Sequence, residues 1–229
     1  MPDFTSYAAR LGLSFKNIDV FIEALTHRSY LNENKGIVSH HNERLEFLGD
    51  AVLELVVTRF LFFRFPEKPE GELTAYRAAL VNTQSLAASA EALGVNDMLL
   101  LSKGEAKDTG RARQIILANA FEAIVSAVYL DQGYDGAEHF IAATIYPKID
   151  TVVEGRLWQD AKSHFQEVAQ ERRSVTPRYE TLREEGPDHD RCFTIGVFLA
   201  AEKIAEGVGK SKQEAEQDAA RRALEKTKW

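Results

Sequence analysis

The spacing of apolar residues changes partway along this 229-residue chain. Up to about residue 150 they recur every three or four positions, as in Leu45, Leu48 and Val52, which is typical of amphipathic helices. Turn signals such as Leu93-Gly94 separate these segments, and the alternation expected of strands does not occur in them. The first part therefore predicts an all-α domain of seven or more helices.

After Pro147 the pattern is different. A helix is predicted over 160–173, followed by three strand-like segments at 178–184, 191–200 and 203–209. A last helix is predicted over 211–226, because Ser211 and Glu214 have the spacing of a capping box. The chain is thus predicted to be an α+β protein with an all-α domain at 1–152, a linker at 153–158 and a small α-β-β-β-α domain at 159–229.

Charge divides the chain at the same place. Residues 155–229 hold 14 of the 28 basic and 14 of the 35 acidic residues, so the whole net charge of −7 belongs to residues 1–154. An acidic part beside a balanced part indicates two domains with different tasks, and acidic clusters can bind the metal ions that attract phosphate.

Composition also limits where the protein works. A single cysteine cannot form an internal disulfide, which fits a reducing compartment. The first residues lack the basic and apolar regions of a signal peptide, and charged residues interrupt the apolar runs before they reach membrane-spanning length. We therefore expect a soluble, cytoplasmic protein without a membrane partner.

The densest chemical signal is a group of carboxylates at helical spacing. Glu46 and Asp50 are four residues apart, so they lie on one face of a helix, and Glu43 joins that side. Asn119 and Glu122 form a second pair, three residues apart in an otherwise apolar helix. A divalent cation such as Mg²⁺ would turn the repulsion between such carboxylates into attraction. The spacing alone also fits a solvated acidic face or partners for nearby arginines.

The segment around these carboxylates, Asn42-Glu43-Arg44-Leu45-Glu46-Phe47-Leu48-Gly49-Asp50, resembles the signature of bacterial ribonuclease III. The resemblance extends to further blocks in matching order, at 24–30, 70–74, 77–82 and 121–123. The C-terminal part resembles a double-stranded-RNA-binding domain at 165–167, 177–179 and 209–216. Together the matching blocks span nearly the whole chain.

The resemblance implies an endoribonuclease that hydrolyses double-stranded RNA to 5′-phosphate and 3′-hydroxyl ends, in the processing of ribosomal RNA precursors and messenger RNA. Mg²⁺ is the implied cofactor, and Mn²⁺ can substitute. Glu46, Asp50 and Glu122 match metal-binding carboxylates, of which Asp50 and Glu122 are most directly tied to catalysis. Glu70 matches an acidic residue near a second metal. The family's nuclease domain forms a homodimer, and Phe47 fits either the dimer contact or the core.

One residue departs from the family pattern. Asn119 stands where most of the family has aspartate, and its amide oxygen can coordinate a hard cation without contributing charge. The alternative function is therefore a cleavage-impaired dimer that binds double-stranded RNA. A metal-dependent hydrolase of small nucleotides is disfavoured by the C-terminal pattern.

Five residues of the C-terminal domain are predicted to contact the duplex. A-form RNA is recognised through its shallow minor groove and its phosphates. The amides of Gln166 and Gln170 suit the minor groove, His189 suits the next one, and Lys210 and Lys212 suit phosphates at the start of a helix. Because this domain has no net charge, we expect modest affinity that falls with salt.

Overall fold

The computed structural model describes residues 1–34, 36, 39–155, 158, 160–187 and 191–229. The chain divides into two compact units, Met1–Trp158 and Gln159–Trp229. The first is all-helical and the second combines helices with a sheet, so the predicted α+β class is confirmed.

The described part of the first unit contains eight α-helices: α1 (Phe4–Arg10), α2 (Ile18–Ala24), α3 (Arg28–Glu33), α4 (Glu43–Arg64), α5 (Glu70–Val81), α6 (Thr83–Ala92), α7 (Arg111–Thr144) and α8 (Ile149–Glu154). Asn82 caps α6, since its side chain accepts a hydrogen bond from the Ser85 amide at 2.9 Å. α7 is interrupted once, at Gly133, where φ is 77°. A glycine is suited to that left-handed conformation, and the helix continues beyond it.

The core of this unit lies between α4 and α7. Leu53 and Val56 of α4 are fully buried, as are Phe121 and Ile124 of α7. The stretch Arg111–Glu154 is long and apolar enough to cross a membrane by length and composition alone. However, 61% of its most apolar window is buried inside the fold, and a core helix passes the same test. Its composition is explained by packing around it on several sides.

The linker predicted at 153–158 starts too early. Val153 and Glu154 are the last residues of α8, and Val153 packs against the core of the first unit. Trp158 also belongs to this unit, because its ring meets that of Tyr76 edge-on at 5.0 Å between centroids. The sequence analysis assigned these apolar residues to a linker because the stretch around them is polar.

The second unit has the predicted order of elements: α9 (Ala161–Arg173), β1 (Arg178–Glu185), β2 (Cys192–Leu199), β3 (Glu202–Gly209) and α10 (Lys212–Thr227). The strands form an antiparallel sheet in the order β1-β2-β3. α10 packs directly on β3, because a Cβ atom on Gly207 would lie 2.0 Å from the Ala219 nitrogen. Phe165 and Val197 are fully buried between the helices and the sheet.

Candidate functional site

The two carboxylate-bearing helices approach each other unusually closely at one glycine. A Cβ atom added to Gly49 of α4 would lie 1.8 Å from the backbone oxygen of Glu122 on α7. Any side chain at this position would push the helices apart. Gly49 therefore allows Glu46 and Asp50 on one helix to lie near Asn119 and Glu122 on the other.

Glu122 carries the electrostatic signature of this group. Burial, together with the nearby charges of Asp50 and Glu46, raises the pKa of the Glu122 carboxyl to about 8. Burial and the charge of Glu43 also raise the pKa of Glu46, while the amide of Asn119 partly offsets that rise. The four residues paired by spacing in the sequence are thus neighbours, and they form a local excess of negative charge.

This group fits a divalent cation in its donor atoms and its charge. Three carboxylates and one amide oxygen are ligands that hard cations favour, and a cation would remove their mutual repulsion. Within the described ranges, no three Asp, Glu, His or Cys side chains already stand at metal-ligand spacing. The carboxylates therefore share an electrostatic neighbourhood, and their oxygens do not already meet at one point.

Glu70 lies apart from this group. It is exposed at the start of α5, where its carboxylate accepts a hydrogen bond from Thr74 Oγ1 at 2.9 Å. Its charge contributes to neither the Glu46 nor the Glu122 pKa shift. Within one chain, the predicted second-metal residue is not brought to the other four.

Sequence reasoning missed the residues that hold Glu43 beside the site. Arg28 Nη1 lies 3.3 Å from the Glu43 carboxylate, and His41 Nδ1 lies 3.8 Å from it. It also gave no role to Gly49, although a glycine inside a long helix costs stability unless close packing requires it. That cost was the available signal.

The position of Phe47 excludes one of the two interpretations left open by the sequence. Its side chain is 83% exposed, so it is not a core residue of this unit. Leu55 and Phe62 are also exposed on α4. Spacings of eight and seven residues put all three on one side of the helix, so they form an apolar stripe (Phe47, Leu55 and Phe62).

Four of the five predicted RNA contacts lie in described residues of the second unit. Gln166 and Gln170 are exposed one turn apart on α9 and line a shallow groove with Glu167 and Glu171. Lys210 and Lys212 are exposed on either side of Ser211, the N-cap of α10. His189 lies outside the described residues.

The start of α10 is built as the sequence predicts. Ser211 Oγ accepts a hydrogen bond from the Glu214 amide at 3.1 Å, and the Glu214 carboxylate accepts one from the Lys210 amide at 2.9 Å. These two bonds resemble a capping box, with the Glu214 carboxylate bound to the amide one residue before the N-cap, and they fix the backbone at the start of α10. The Lys212 ammonium lies 5.8 Å from the centre of the Phe193 ring.

Comparison with known proteins agrees with this division of the chain. Residues 17–149 match the family model described as ribonuclease-III-like, and residues 161–227 match the double-stranded RNA binding motif. An acidic helical unit followed by an RNA-binding unit defines a class, the metal-dependent endoribonucleases that act on double-stranded RNA.

The relatives identify the family. A protein named Ribonuclease 3 from Geobacillus kaustophilus is 46% identical over 97% of this chain and 90% of its own length. Ribonuclease 3 from Enterococcus faecalis is 46% identical over 96% of this chain and 95% of its own. The solved nuclease domain of ribonuclease III from Campylobacter jejuni is 40% identical, with a TM-score of 0.57, over 63% of this chain and 99% of that one. The chain belongs to the ribonuclease III family, and it is an endoribonuclease for double-stranded RNA.

Proposed function

We propose that this chain is a Mg²⁺-dependent homodimeric ribonuclease III that cuts both strands of an RNA duplex in the cytoplasm. Its products carry 5′-phosphate and 3′-hydroxyl ends, and its work is the processing of ribosomal RNA precursors and messenger RNA. The observation that carries this proposal is the meeting of Glu46 and Asp50 with Asn119 and Glu122 across the Gly49 contact.

These four residues would hold the cation, for which Mn²⁺ can substitute. When bound there, it would supply an activated water and neutralise charge on the attacked phosphate. Glu122 must first lose its proton, because a protonated carboxyl is a poor ligand and its pKa is raised to about 8. Asn119 contributes an oxygen but no charge, so this chain brings three negative charges to the site.

The dimer is supported by the apolar stripe of α4. Its three side chains are each more than half exposed, and contiguous apolar surface of this kind marks an interaction site. The Campylobacter jejuni nuclease domain is described as flexible in a region involved in dimer formation. We infer that a second copy of this chain covers the stripe and that each copy cuts one strand.

The second unit would hold the duplex. Gln166 and Gln170 present amides that donate and accept, which suits the 2′-hydroxyls and base edges of the minor groove. Lys210 and Lys212 stand where a helix dipole adds to their attraction for phosphate. His189 remains a predicted contact in the loop between β1 and β2.

A cleavage-impaired RNA-binding dimer remains the competing function, and Asn119 is the residue that favours it. The deciding experiment incubates a long RNA duplex with Mg²⁺ and the protein, Asn119→Asp, or Glu122→Ala, with a gel shift in parallel. Glu91→Ala, an exposed glutamate on α6, is the matched control. We expect the protein and Glu91→Ala to cleave, and Glu122→Ala to bind without cleaving.

Two other results would change the assignment. Binding without cleavage, restored in Asn119→Asp, would mean a nuclease weakened at one ligand. Binding without cleavage even in Asn119→Asp would overturn the catalytic proposal in favour of the RNA-binding dimer.

A further inference from the structure

The two RNA-facing helices of the second unit pack against each other through small side chains. Ala161 and Ala169 of α9 are buried, as are Ala219, Ala220 and Ala223 of α10. Phe165 of α9 is also fully buried in this cluster, so the packing is close, but apolar contacts are not directional. Polar contacts with defined lengths and angles therefore add a constraint that the apolar packing does not supply.

Directional contacts join the same helices at one end. The Gln217 side-chain amide donates to the Asp160 carboxylate, and its carbonyl oxygen accepts from the Lys162 backbone amide at 3.3 Å. The Lys162 ammonium donates to the Glu216 carboxylate at 2.6 Å and lies 4.9 Å from the centre of the Tyr179 ring. Asp160, Lys162, Glu216 and Gln217 form what we call the inter-helix network.

Both the nitrogen and the oxygen of the Gln217 side-chain amide form hydrogen bonds, so the network is sensitive to movement of α9 relative to α10. Its amide nitrogen and oxygen contact α9 at its N-cap and its second residue, so a slide of either helix breaks both bonds. Asp160 also caps α9 by accepting from the Ser163 amide at 2.7 Å. The beginning of α9 is therefore fixed to α10 by bonds with defined lengths and angles.

The network lies one helical turn from each set of predicted RNA contacts. Lys162 precedes Gln166 by four residues on α9, and Glu216 follows Lys212 by four residues on α10. Residues four apart lie on the same face of a helix. The network is thus a polar connection between the helix that carries the minor-groove amides and the helix that carries the phosphate-facing lysines.

Spacing between those two sets matters because RNA duplexes are recognised by shape. A double-stranded-RNA-binding domain spans about 16 base pairs and contacts minor grooves and intervening phosphates together. A side chain that is out of place contributes little to binding, because the entropy lost in ordering it offsets the energy of its contact.

We propose that Asp160, Lys162, Glu216 and Gln217 are positioning residues for duplex recognition, which hold the minor-groove amides of α9 at a fixed distance from the phosphate-facing lysines of α10. The proposal rests on the RNA interface proposed above. It assigns no contact with RNA to these four residues. It predicts that loosening the network weakens binding only where both sets are engaged at once.

The test uses the full chain without divalent metal, so that binding is measured without cleavage. Affinities of the protein and of Gln217→Ala are compared for RNA duplexes of about 24 and about 8 base pairs, the longer of which alone spans both sets. Gln217→Ala leaves the charge unchanged. We expect affinity for the long duplex to fall about 3- to 10-fold, with the short duplex and the salt slope unchanged.

Glu202→Ala is the matched control, because it removes a 3.0 Å ion pair between Arg173, at the other end of α9, and β3. We expect it to bind both duplexes as the protein does. An equal loss for both duplexes in Gln217→Ala, or no loss for either, would overturn the positioning role. If Gln217→Ala melts below the assay temperature, Glu216→Gln gives the same comparison with milder disturbance.

Two further variants test the RNA interface on which the positioning role rests. Gln166→Ala and Lys212→Ala should each weaken binding to the long duplex, and Lys212→Ala should also reduce its salt slope by about one. If neither variant changes binding, the RNA interface itself is wrong. If both do and Gln217→Ala does not, only the positioning role fails.

Discussion

The backbone oxygen of Glu122 occupies the space in which Gly49 would carry a side chain, 1.8 Å from the position of a Cβ atom. This contact sets the distance between α4 and α7 and, through it, the spacing of the carboxylates on the two helices. Position 49 therefore helps to set the geometry of the proposed metal site as directly as the four proposed ligands do.

Replacement of Gly49 by alanine tests that relationship. The added methyl group meets backbone, which cannot rotate away, so we expect Gly49→Ala to lower the free energy of unfolding by about 3 kcal/mol. Chemical denaturation measures the change, and calorimetry measures the accompanying loss of Mg²⁺ binding.

Gly71→Ala provides the control within another helix. Nothing lies within 4 Å of a Cβ atom on Gly71, so alanine should stabilise α5 by about 0.5 kcal/mol. Equal stability of the two variants would mean that α4 and α7 separate without cost.

The raised pKa of Glu122 predicts how stability depends on pH without metal. A carboxyl whose pKa rises from 4.5 to about 8 on folding binds more protons folded than unfolded between those values. Stability therefore decreases as pH rises from about 5 to 8, on the order of 2 kcal/mol after allowance for solvent screening. Thermal melts in a chelator, at pH 5.5 and 8.5, measure it.

Glu122→Gln separates this group from other titrations. The neutral amide has nearly the same shape, so the melting temperature of this variant should fall less between the two pH values. Added Mg²⁺ should raise the melting temperature of the unchanged protein most at pH 8.5. A variant that keeps the full pH dependence would assign it to another residue.

Asn119→Asp adds a fourth negative charge to the same group. Without metal, we expect a lower melting temperature than that of the unchanged protein, because the new carboxylate lies beside Glu46. With Mg²⁺, the concentration needed for half-maximal stabilisation should fall about 3- to 10-fold. Melts over a magnesium titration give both values, and an unchanged midpoint would show that residue 119 is not a ligand.

The apolar stripe predicts the effect of charge on association. Phe62→Asp puts a carboxylate into an interface where burial of an unpaired charge is costly, so we expect monomers at micromolar concentration. Sedimentation measures the mass. Val208→Asp, on exposed apolar surface of the other unit, is the control and should leave the mass unchanged. A dimeric Phe62→Asp protein would place the interface elsewhere.

Local sequence patterns predicted much of the fold. Period and capping signals predicted the all-α character of the first unit and the α-β-β-β-α order of the second, since both depend on near neighbours. The cap at Ser211 was predicted directly from residue types. The end of α8 was missed, because Trp158 and Val153 are anchored by distant residues.

The sequence predicted each of the two residue pairs of the candidate site, but not their meeting. Helical spacing alone put Glu46 beside Asp50 and Asn119 beside Glu122, but their meeting depends on packing between residues more than 60 positions apart. The link was an inference from the family, and Gly49 supplies its physical reason. The inter-helix network could not be predicted either, because Gln217 and Asp160 are 57 positions apart.

The carboxylate group also affects the encounter with RNA. Since all seven surplus negative charges lie in residues 1–154, the nuclease unit repels a polyanion until cations gather on it. The cleavage rate would then depend on free Mg²⁺ at two steps, the approach of the duplex and its hydrolysis. At limiting RNA, we expect the cleavage rate to rise more steeply with magnesium concentration than the binding curve of a single site does. The available magnesium would then determine which duplexes are reached as well as how fast they are cut.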